Sequence, residues 1–91
     1  MFGLAIRRIV GDSMAPGFLE NNLILVKKTK DYKVGQVVGF QYDGKVLIKR
    51  IFEIKESKYF LLGDNAKNSL DSRKLGWIDY DKLVFKVIFK L

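Results

Sequence analysis

Cysteine and histidine are both missing from this 91-residue sequence, and proline occurs once. The absence of Cys excludes a disulfide framework and thiolate metal ligands, and without His a zinc site would have to be built from carboxylates alone. No structural or catalytic metal and no cofactor are expected. The same two absences exclude Ser-His-Asp and Cys-His arrangements, so a serine nucleophile here would need another base, for which lysine is the candidate. Long apolar runs are missing too. The longest, at 2–6 and 23–26, fall far below the ~18–20 residues of a membrane span. The start of the chain lacks the basic segment, long apolar centre and small-residue cleavage site of a secretory leader. The expected location is the cytoplasm, with a peripheral position at a membrane as the alternative and no transmembrane anchor.

Apolar residues make up 48% of the chain, including seven Phe, four Tyr and one Trp, which is enough for a packed core and argues against disorder. The length fits one domain, 1–91. Net charge is +7 and comes mostly from lysines scattered along the chain. That pattern describes a solvated surface. A diffuse attraction for anionic partners is the other reading. No helix-turn-helix or aromatic RNA-binding motif accompanies the charge, so nucleic acid is not an expected partner.

The apolar segments are short, rich in Val, Ile, Leu and Phe, and bounded by Gly, Asn or Asp, which predicts an all-β domain. The expected strands are 3–10, 22–28, 36–42, 45–54, 58–63 and 83–90, with Asp43-Gly44 as a hairpin turn between the third and fourth. Alternation along the fourth places Leu47, Lys49 and Ile51 on one face and Val46, Ile48 and Arg50 on the other. A lysine thus shares a face with aliphatic residues. The single proline, Pro16, marks a bend beside Ser13, and Gly11 and Gly17 flank it. The polar stretch 63–76 reads as an ordered loop held by side-chain-to-backbone hydrogen bonds.

Three segments carry candidate chemistry: Gly11-Asp12-Ser13-Met14-Ala15-Pro16, Lys49-Arg50-Ile51, and Gly63-Asp64-Asn65 followed by Asn68-Ser69 and Asp71-Ser72-Arg73. Taken singly, each has a plain explanation: a serine in a turn, a surface cation, ordinary loop chemistry. Taken together, they supply a nucleophile and a base. An unperturbed lysine titrates near ~10.4, so Lys49 would act as a base at neutral pH only if burial lowered its pKa by roughly 2–3 units.

In residues and in order, these segments resemble the nucleophile, base and third boxes of the type I signal peptidase family and its relatives, the LexA-type self-cleaving repressors. The similarity extends through Val34-Gly35-Gln36-Val37-Val38 and Gly76-Trp77-Ile78, covering about residues 8 to 90. It implies a compact β-barrel or β-clip-like catalytic core with Ser13 as nucleophile and Lys49 as general base. By the same resemblance, the Ser69 hydroxyl accepts a hydrogen bond from Lys49, Asp71 and Arg73 hold the third loop by an ion pair, and Asp64 and Asn65 fix its turn. The Ser13 amide serves the oxyanion, and Met14 and Pro16 border the substrate, with Met14 beneath it. The implied partner is a protein or peptide bound as an extended strand. Gly11 stands where many members carry a hydroxyl donor, and losing one such donor costs about 3–4 kcal/mol in other serine hydrolases. No membrane anchor is expected, and the long insertion between the second and third boxes is replaced by the short stretch Phe52 to Leu62, which resembles the short maturation proteases of nickel-type superoxide dismutase. Loss of activity with retention of a peptide-binding fold is the competing expectation.

Overall fold

A computed structural model describes residues 3–91. Seven strands form one antiparallel sheet: β1 (Leu4–Arg8), β2 (Leu23–Lys27), β3 (Val37–Tyr42), β4 (Lys45–Lys55), β5 (Lys58–Leu62), β6 (Ile78–Asp79) and β7 (Leu83–Lys90). Their spatial order is β1-β2-β7-β3-β4-β5-β6. The all-β class is borne out. The sheet does not close on itself: β1 and β6 are its two edges among the described residues.

The six expected strands all form, most of them trimmed by a residue or two. β6 is additional, a two-residue strand paired with the start of β5. The β3–β4 turn is made by Asp43 and Gly44, with φ of 51° and 74°; both central residues are left-handed, as a two-residue hairpin of this hand requires. The loop at 63–76 is more regular than its composition suggests. It contains a 3₁₀ turn at Ala66–Asn68 and a one-turn helix, α1 (Ser72–Leu75). The side chain of Asp71 caps α1 by accepting from the Arg73 amide at 3.0 Å.

Two apolar clusters hold the sheet. One joins Tyr32, Val38, Phe40, Ile51, Tyr59, Leu61, Ile78 and Leu83. The other joins Ile9, Ile24, Val26 and Phe85, with Ile48 and Phe18 packed against it. The alternation of β4 feeds both: Leu47 packs on the first cluster and Ile48 on the second. β4 also changes partner along its length. Its first half, from Lys45 to Arg50, pairs with β3, and only from Arg50 onward does it pair with β5. Among the described residues, 45–49 therefore have a strand neighbour on one side only. Among the same residues β1 pairs only with β2.

Candidate active site

These two half-paired segments face a common groove of about 610 Å³, lined by residues 7–14 on one side and 45–49 on the other, with Leu70 and Phe85 completing it. Ser13 and Lys49 meet there, with Lys49 Nζ 2.9 Å from Ser13 Oγ.

Ser13 lies in a run of turns between β1 and β2. Gly11 enters it at φ 82°, Ala15 donates to the Asp12 carbonyl, Phe18 donates to the Met14 carbonyl, and the Ala15–Pro16 peptide is cis. Met14 is 1% exposed and anchors the turn from below. Its sulfur accepts from the Asp64 amide at 3.5 Å. Pro16 is exposed and does not line the groove.

Lys49 enters from β4 and is only 3% exposed. Burial pushes its pKa below the ordinary lysine value, and the Asp71 carboxylate pushes the other way without cancelling that effect. Asp71 is fully buried. Burial alone would raise its pKa, but donors converge on it: the Arg73 guanidinium, the Gly63 amide at 2.8 Å, the Ser69 hydroxyl at 2.8 Å and the Arg73 amide. Together they hold the carboxylate well below its usual range. The ammonium or amine of Lys49 thus sits between an apolar enclosure and one fixed negative charge.

The third loop is fastened to the serine turn by Asn65. Its amide donates to the Ser13 carbonyl at 2.8 Å and its side chain to the Asp12 carbonyl at 3.1 Å. Gly63 makes this close approach feasible. A methyl group there would overlap the Ser69 hydroxyl and lie 2.7 Å from Ser69 Cβ and 2.8 Å from the Ser13 carbonyl oxygen. Asp64 reaches away from its own turn to β4, where Arg50 donates to both its carboxylate oxygens, at 3.0 and 2.8 Å. Arg50 also donates to the Gly35 carbonyl at 2.8 Å. This clamp between the second and third boxes was not anticipated from sequence, although an arginine next to the base and an aspartate opening the third segment are its signal.

Of the candidate residues, Ser13, Lys49, Ser69, Asp71, Arg73, Asp64, Asn65 and Met14 are joined by these contacts, directly or through one another. Gly11 lines the same groove, with no other group within 4 Å of the point where a side chain would begin. Pro16 stands apart.

A serine hydrogen-bonded to a buried lysine thus lines a groove between two strand edges. The Peptidase S24-like family profile matches residues 3–76, and the chain belongs to that family. It is also similar to the signal peptidase I of Rickettsia massiliae (strain Mtu5), 36% identical over 59 residues covering 64% of this chain and 22% of that protein. Signal peptidase I of Buchnera aphidicola subsp. Schizaphis graminum (strain Sg) is 33% identical over 72 residues, covering 75% of this chain and 20% of that one. The chain thus spans about a fifth of the length of these curated relatives.

Proposed function

We propose that this domain is a serine endopeptidase in which Ser13 is the nucleophile and Lys49 the general base, removing an N-terminal leader or propeptide from a protein substrate. The observation that carries the reading is the 2.9 Å contact between Lys49 Nζ and Ser13 Oγ with the lysine buried. Neutral Lys49 takes the Ser13 proton as Oγ attacks the peptide carbonyl. The lysine then returns that proton to the leaving amine, and a water activated by Lys49 hydrolyses the acyl-enzyme. The Ser13 amide donates to the oxyanion, and Ser69, held by Asp71, orients the lysine. The half-paired edges of β1 and β4 support binding of the substrate as an added strand, with main-chain hydrogen bonds giving affinity. A nickel-type superoxide dismutase precursor is the first substrate to try. The test is mass spectrometry of a short-peptide library incubated with wild type and with Ser13→Ala at pH 7 to 9. Cleavage by wild type alone supports the reading. Cleavage by neither, together with no acylation of Ser13 by a serine-reactive probe, favours a peptide-binding module that has lost activity.

A second reading places the same chemistry at a membrane surface, acting on secreted precursors. Among the described residues no helix is long and apolar enough to cross a membrane. The outer face of β1-β2-β7 nevertheless exposes Ile6, Leu23, Phe89 and Leu91 in adjoining register positions. Arg8 and Lys27 belong to the same face, and patches of this kind are interaction sites more often than accidents.

A further inference from the structure

The lining of the groove is uneven in charge. Its two walls are chain segments that converge on the Ser13–Lys49 contact, and the far end of each wall is basic: Arg7 and Arg8 on one, Lys45 on the other. Among the described residues of the lining, Asp12, beside Ser13, is the one acid. Three cations outside that basic end are held in ion pairs. Arg50 is paired with Asp64, Lys58 with Asp79 and Arg73 with Asp71, and none of these pairs involves a residue of the groove's basic end. Among the described residues neither Arg7 nor Lys45 is in an ion pair; the guanidinium of Arg7 bonds only the neighbouring Ile6 carbonyl, at 3.1 Å.

Orientation follows from strand alternation. Arg7 stands opposite Ile24, which is buried, so it belongs to the inward face of β1 together with Ala5 and Ile9. Lys45 is on the same face of β4 as Lys49, four residues earlier. At ~3.3 Å per residue that is about 13 Å along the strand, so a substrate strand lying in the groove would pass Lys45 with its residue three to five positions from the scissile bond. Between that point and Ser13 the lining is apolar, with Val46, Leu47, Ile48 and Phe85.

Resting on the peptidase reading, we infer that Arg7 and Lys45 form a basic specificity site for acidic side chains three to five residues from the bond that is cut, Arg7 on one face of the bound strand with Ile24 and Ile48, and Lys45 on the other with Leu47 and Lys49, so that each reads its own position. Apolar contacts near Ser13 then select small or aliphatic residues, and the basic end selects Asp or Glu at a fixed spacing.

The experiment uses fluorogenic peptides that share one cleavable core and carry Glu or Gln at each position up to six residues on either side. With wild type, Glu at the position facing either cation raises kcat/KM about 5-fold over Gln, the scale of one exposed charge pair, and the preference disappears at about 0.5 M NaCl. Arg7→Glu and Lys45→Glu invert it, preferring Lys at the same position; Arg7→Gln and Lys45→Gln abolish it and guard against misfolding of the reversals. Binding to Ser13→Ala, read by fluorescence anisotropy, shows the same Glu-to-Gln ratio in Kd. Equal cleavage of the Glu and Gln series overturns the inference and leaves the peptidase standing. Tighter Glu binding with no cleavage by wild type keeps the specificity site and overturns the peptidase. Neither cleavage nor Glu-dependent binding overturns both.

Discussion

Replacement of Gly63 by alanine adds a single methyl group at the most crowded point of the site. That methyl would overlap the Ser69 hydroxyl and approach the Ser13 carbonyl oxygen to 2.8 Å. The first neighbour is a side chain that rotates, but rotation breaks its 2.8 Å bond to Asp71. The second is backbone, tied to the Asn65 amide at 2.8 Å, and gives way only if the whole serine turn shifts. Overpacking of this kind costs about 1–3 kcal/mol, which for a domain of this size lowers Tm by roughly 5–20 °C. The shift falls on the residue that carries the nucleophile. A displacement near 1 Å costs on the order of 100-fold in rate, so kcat/KM should drop at least about 10-fold. Thermal denaturation and cleavage of a peptide identified from the library read the two effects separately. Gly44→Ala supplies the comparison: it strains a left-handed residue at φ 74° with nothing within 4 Å, so Tm falls while kcat/KM holds. A Gly63→Ala protein that melts within about 2 °C of wild type and cleaves at the wild-type rate would refute the close-approach argument, since ordinary overpacking costs exceed that.

Lys49→Arg should abolish cleavage, because guanidinium does not lose its proton at working pH; normal turnover would sink the assignment of the base. The lowered Lys49 pKa means that the unfolded chain binds this proton more readily than the folded one. Stability should therefore rise with pH between the folded value and about 10.4, and activity should rise through the folded value. Lys49→Met removes the penalty, so its Tm should exceed wild type at pH 7 and the gap should narrow toward pH 10; a gap independent of pH contradicts this. Asp71, depressed by its donors, contributes stability present above about pH 4 and lost as pH falls further. Asp71→Ala should cost about 2–4 kcal/mol by orphaning buried donors, whereas Ser69→Ala should slow acylation with little change in Tm. Equal destabilisation by the two would contradict that division. Sedimentation with anionic vesicles tests the outer apolar face: Phe89→Ser should release the domain if that face docks.

Much of the β framework is written in local chemistry. The Asp43-Gly44 turn was readable because left-handed residues are needed there, and the alternation of β4 correctly separated Leu47 from Ile48. β6 has no signal in the strand pattern, because two residues carry no periodicity and its position depends on pairing with β5; only the resemblance marks a closing strand at Gly76-Trp77-Ile78. Helix α1 was missed although Asp71 as N-cap and Gly76 beyond Leu75 are its signals; a polar loop composition masked them. The proximity of Ser13 and Lys49, 36 positions apart, has no signature in propensity or period. It was suggested by motif resemblance, and the fold supplies the physical reason in the convergence of two chain segments on one groove. The Arg50–Asp64 clamp illustrates the remaining gap, since which opposite charges pair depends on tertiary placement rather than spacing.

The unpaired flanks of β1 and β4 make a demand on whatever occupies the groove that no pocket for a side chain could impose. A chain already committed to its own helix or sheet has its amides and carbonyls engaged and nothing to offer two waiting edges. Only a stretch released from internal structure fits. Under the proposed activity, folding of the substrate becomes a clock: a leader that stays extended remains cuttable, and the body of the precursor escapes as soon as it folds.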